Sequence, residues 1–156
     1  MLVRLVSYFG QKITTLGDTM AEPYNSETEI EQVVCGFESC TTGKDDFSHS
    51  DHLAVAVWYS RQDQERALDL MRASLHRFLD HHDCRSNYHE TLTRFWIMRV
   101  QSALADLPAE LSLVATTNAI VKRLGNSRLA FEFYSKELVE SAAAKEAWVE
   151  PDLKAL

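Results

Sequence analysis

The stretch QERALDLMRASLHRFLDHH, residues 64–82, places apolar side chains at Leu68, Met71, Leu75 and Phe78, with His82 next at the same spacing. Steps of three and four residues describe one face of a helix. Arg66, Asp69, Arg72, Arg77 and Asp80 fall mostly off that face and suit a solvated side. One amphipathic helix of this length cannot bury its stripe alone, so its neighbours must supply the other side of a core.

The flanking segments read the same way. Downstream, residues 83–87 form a short loop. Asn87 is expected to cap the next helix, with Glu90 at its third position completing a capping box. That helix, 88–105, carries Leu92, Phe95, Trp96, Val100 and Ala103 and stops before Pro108. A further helix is expected over 109–124 with Gly125 just past its end. A shorter helical stretch follows over 128–136, then another over 142–148, and Pro151 ends regular structure. Upstream, Ser26 or Asn25 caps a helix through Ile30, Val33, Val34 and Phe37, with Glu27 and Glu29 suited to its positive end. Residues 39–46 are small and polar and read as a loop. Ser48 is an N-cap with Asp51 at the third position, which predicts a helix over about 49–60. Its apolar run LAVAVWY, 53–59, also fits a buried strand, but the capping signal and the helical neighbours favour helix. The expectation is one all-α domain, an antiparallel bundle of five or six helices with a wrapping C-terminal segment.

Composition narrows the function classes. The chain has 156 residues, 46% of them hydrophobic, which suits one domain with a real core. Five glycines and three prolines are few for an all-β protein, which turns every ~8–12 residues. A net charge of −7 argues against nucleic acid and anionic membranes as partners. The seven-residue apolar run is too short for a bilayer, which needs ~20 residues. Cys35, Cys40 and Cys84 make an odd, sparse set without zinc-ligand spacing, which points to a reducing cytosol and a cytoplasmic protein. The start, MLVRLVSYFGQKITTLGDT, does not read as a secretory signal. From Met20 onward the chain reads like a soluble protein's own beginning. Residues 1–24 are therefore expected to be an extension, 1–19 to make few core contacts, and 25–156 to be the single helical domain.

Chemistry is expected at one end of the bundle. Antiparallel packing brings the starts of the 49–60 and 88–105 helices to the end of the 64–82 helix. His49, His52, His82 and His89 converge there, with the loop of Glu38, Cys40 and Asp46. His49 and His52 are three apart and face one point. His89 shares the inward line of Leu92, Trp96 and Val100. Helix N-termini disfavour imidazolium, and neutral imidazole is the form that binds metal or acts as a base. With Glu38 or Glu90 added, the set is a mixed His/carboxylate site for a divalent metal or a small-molecule ligand, with Tyr88 and Thr91 orienting a substrate. The alternative is a non-catalytic helical module that forms a homodimer through apolar surface on the 109–124 helix, with structural histidines. In that case phenylalanine should replace His89 without loss.

FSHSDHL (47–53) and YHETLT (88–93), followed by Trp96, resemble segments of a group of small, mostly uncharacterised bacterial proteins. Those share a Phe/Trp-Thr/Ser-His-x-x-His-Leu segment and a Tyr-His-Glu-Thr-Leu/Ile-Thr segment. ALDLMRASL (67–75), Phe37-Glu38, Tyr134-Ser135 and the tail from Trp148 to Leu153 extend the likeness over roughly 33–156. The resemblance implies a site at the histidine segments and a helix rather than a strand at 53–59. It confers no activity.

Overall fold

Every regular element of residues 21–156, the part of the chain that the computed structural model describes, is helical. The expectations for residues 1–19 lie outside the described residues. Helix α1 spans Glu27–Glu38, α2 His49–Gln62, α3 Ala67–His81, α4 Glu90–Ala105 and α5 Leu113–Leu124. Two short helices follow, α6 at Lys136–Glu140 and α7 at Ala142–Glu146, and 3-10 turns occupy Arg85–Asn87 and Ser127–Glu132. No helix among the described residues is long and apolar enough to cross a membrane.

Helix α2 is the hub. It packs against α1, α3, α4 and α5. Leu53, Ala54, Val55, Ala56, Val57 and Tyr59 are all buried, so the helix is apolar nearly all round. This explains why 53–59 has the composition of a buried strand yet is helical. The propensity cost of valine in a helix is only a few tenths of a kcal/mol. Burying each large apolar side chain contributes ~1.5–3 kcal/mol. The capping box fixes where the helix begins. Asp51 N–H donates to Ser48 Oγ at 3.2 Å, and Ser48 N–H donates back to the Asp51 carboxylate at 2.8 Å.

Aromatic rings form two groups in the core. Phe37 stacks on Phe47 with centroids 4.6 Å apart, and Phe78 lies 5.2 Å from Phe37. At the other side Phe95 meets Phe133 at 5.4 Å and Tyr134 at 5.8 Å. The C-terminal segment wraps this second group. Thr91 Oγ1 donates to the Ala147 carbonyl at 2.7 Å and accepts from Val149 N–H at 3.2 Å. Leu153 N–H donates to the Phe133 carbonyl at 2.9 Å, and Ser135 N–H to Asp152 at 2.8 Å.

Several boundaries differ from the sequence expectations, each for a local reason. Helix α3 begins at Ala67 because Arg66 N–H is taken by the Asp63 side chain in a turn. Asn87 lies in a 3-10 turn, so His89 becomes the cap of α4 and Glu90 its first residue rather than its third. Helix α5 begins at Leu113, capped by Ser112, since Leu111 N–H closes a turn onto Pro108. Residues 127–132 form a 3-10 turn, and α7 ends at Glu146. Gly125 has φ −66°, not the left-handed conformation expected of it. Its need for glycine is spatial: a Cβ would lie 2.5 Å from the Val121 carbonyl oxygen. Tyr24, placed with the extension by sequence, belongs to the domain. It is buried, its N–H donates to Asn118 Oδ1 at 3.1 Å, and its hydroxyl donates to Asp51 at 2.9 Å.

Candidate functional site

A cavity of about 60 Å³ lies between α2, α3 and α4. Leu53, Ala56, Met71, Leu75, Leu79, Leu92, Trp96 and Ile97 make its apolar wall. His49, His52, Asn87, Tyr88, His89 and Thr93 supply polar groups. The three histidines singled out by sequence thus share one space, because α2 and α4 both start at this end.

Their chemistry differs from one to the next. His49, the first residue of α2, sets Nε2 against the Leu124 carbonyl at 3.0 Å, and its ring meets Trp96 edge-on at 4.6 Å. A carbonyl only accepts, so Nε2 carries the proton there. Burial holds this imidazole below its ordinary pKa, against the raising effect of the Leu124 bond. His52 lies against Phe47 at 4.3 Å and Phe37 at 6.4 Å. Burial, and then the neighbouring His49, lower its pKa to about 3. His89 engages both ring nitrogens: Nδ1 accepts from Leu92 N–H at 3.2 Å, and Nε2 donates to the Val139 carbonyl at 2.8 Å. It is the α4 cap and a tie to α6, and burial keeps it neutral despite the Val139 bond. With Nδ1 accepting and Nε2 donating, both ring nitrogens of His89 are engaged by backbone groups.

The expected carboxylates lie elsewhere. Glu90 is gripped by the Arg72 guanidinium and accepts from Tyr88 O–H at 2.6 Å. Burial works against its ionisation, but the bonds from Arg72 and Tyr88 prevail and hold it below the ordinary carboxylate range. Glu38 is exposed and accepts from Tyr59 O–H at 2.8 Å, beside Ser74. Neither carboxylate lines the cavity. Among the described residues no group of three or more His, Cys, Asp or Glu side chains could hold a metal ion. The carboxylates expected in a mixed His/carboxylate centre are engaged instead by Arg72 and Tyr59.

Of the secondary candidates, Tyr88 lines the cavity, with its ring over His76 at 4.0 Å. Thr91 pins the C-terminal segment. His82 Nε2 donates to the Thr42 carbonyl at 3.1 Å and ties down the 39–46 loop. Sequence reasoning missed Asn87 and Thr93 as lining groups and Arg72 as the partner of Glu90. Only Asp69, three residues before Arg72 and paired with it at 2.9 Å, marked a fixed guanidinium in the sequence.

No family model matches the chain, and neither does any curated protein or solved structure.

Proposed function

We propose that the chain binds a small molecule in the cavity between α2, α3 and α4. The observation that carries this reading is the cavity's composition. Protein interiors are close-packed, yet here eight apolar side chains leave a hollow that neutral imidazoles, a carboxamide and hydroxyls adjoin. An apolar pocket with a few polar groups at defined places is the usual form of a ligand site. None of the described lining residues is a carboxylate, thiol or serine, which favours binding over nucleophilic chemistry. The homodimer reading called for contiguous apolar surface on the 109–124 helix. Among the described residues the exposed large apolar side chains are Leu153 and Leu156, both in the C-terminal segment.

Xenon, which enters dry apolar cavities, is the direct test. Dissolved xenon should shift the methyl resonances of Leu53, Leu75 and Leu92, and Leu75→Phe should suppress those shifts. Methyl resonances that ignore xenon would end this reading.

A further inference from the structure

We propose, resting on the binding reading above, that the cavity selects an uncharged ligand: a short apolar body carrying one neutral polar group that meets the Asn87 carboxamide. The argument begins with what lines the space. No described lining residue carries a formal charge. Burial lowers the pKa of the three imidazoles there, which disfavours a positive charge on them. An ionised group entering such a space gives up its water with no opposite charge to receive it, which is far more costly than burying a neutral polar group.

Two helix starts adjoin the cavity, and an open helix start attracts anions. Both are already compensated. At α2 the Asp51 carboxylate accepts from Ser48 N–H at 2.8 Å and Ser48 Oγ at 2.7 Å, so the positive end holds an acid of its own. At α4 Glu90 occupies the first position and His89 Nδ1 takes the Leu92 N–H. Nor do these acids invite a cation. Asp51 also accepts from Tyr24 O–H, and Glu90 is paired with Arg72 and Tyr88. The acids at this end are engaged by groups of the protein itself.

The polar groups that remain fix the rest. Tyr88 O–H is spent on Glu90, and Thr93 O–H on the His89 carbonyl at 2.9 Å. Asn87, half-buried in the 3-10 turn, adds a neutral donor and acceptor to the lining, beside the imidazoles of His49 and His52. Size follows from volume. A cavity of ~150 Å³ takes benzene, and this one is about 60 Å³. The buried part of the ligand is therefore smaller than a six-membered ring.

Propionamide, propionate and propylammonium share a short apolar tail and differ in charge. Titrated against the full-length protein at neutral pH and followed by leucine and isoleucine methyl shifts, propionamide should saturate. The two ions should bind at least ~10-fold more weakly, since each brings an unpaired charge. Asn87→Ala should weaken propionamide several-fold while xenon still enters. If xenon enters but propionate or propylammonium binds as tightly as propionamide, the uncharged-ligand inference is overturned while the binding reading stands. If xenon enters and Asn87→Ala leaves propionamide unaffected, the role of Asn87 is overturned. If neither xenon nor propionamide enters, both proposals fall together.

Discussion

His89 Nε2 donates to the carbonyl of Val139 at 2.8 Å, joining the start of α4 to α6 across fifty residues of chain. The opposite nitrogen of the same ring caps α4. One side chain thus satisfies two buried backbone groups that belong to different elements. Its inward position, which suggested a ligand, has a structural cause.

The consequence for substitution is the reverse of what an apolar isostere suggests. His89→Phe keeps a ring but leaves the Leu92 N–H and the Val139 carbonyl without their partners. Each buried group left unmet costs about 1–3 kcal/mol, so a total loss of roughly 2–6 kcal/mol is expected. His89→Asn restores the cap and should recover about 1 kcal/mol of it. Urea unfolding of the three proteins checks this; a Phe variant as stable as the parent would refute the tie.

Stability should fall on mild acidification. His49, His52 and His89 all have folded pKa values below the ordinary 6.5, with His52 at about 3. Below pH 6.5 the unfolded chain binds protons that the folded chain refuses, so stability is complete above that pH and is lost as pH drops toward the folded values. The slope is at most ~1.4 kcal/mol per pH unit for each histidine. Urea midpoints at about pH 7.5 and about pH 5 should differ in that direction. His52→Leu, an apolar side chain against the edge of the Phe37–Phe47 stack, should shrink the difference. A midpoint that holds or rises at the lower pH would contradict the neutral imidazoles.

Tyr24 sets the working boundary of the domain. A chain begun at Met20 keeps its bonds to Asn118 and Asp51; a chain begun at Asn25 loses them and the burial of the ring. The shorter chain should be less stable than the longer by roughly 2–4 kcal/mol. Equal melting temperatures for the two would show that Tyr24 adds nothing.

Thr91→Val removes the hydroxyl that donates to Ala147 and accepts from Val149. Volume is conserved, so α4 should survive, with a loss of about 1–2 kcal/mol. Amide exchange should rise from Val149 onward and not in α2 or α3. An exchange rate unchanged over that segment would mean the wrap is held by other contacts alone.

The elements and starts of the helices were legible where the determining contact is local. Ser26 and Ser48 bond three residues ahead, and the stripe of α3 repeats every turn, so spacing reveals both. His49, His52 and His89 line one cavity, and short connections, which leave consecutive helices few ways to pack, are the part of that arrangement a sequence can carry. Asn87 failed as a cap because Asn and His compete for one role two residues apart. His89 wins through Val139, a partner that no window around residue 89 contains.

The sequence by itself determined the all-α character of the described residues and the starts of α1 and α2, since these follow from periodicity and from bonds within one turn. Only the tertiary structure decided which groups are spent. Arg72 claims Glu90, Tyr59 claims Glu38, and Val139 and Leu92 claim His89. A buried polar group takes whichever partner the fold brings within about 3 Å, and in a bundle that partner sits on another helix, at a sequence distance that carries no pattern.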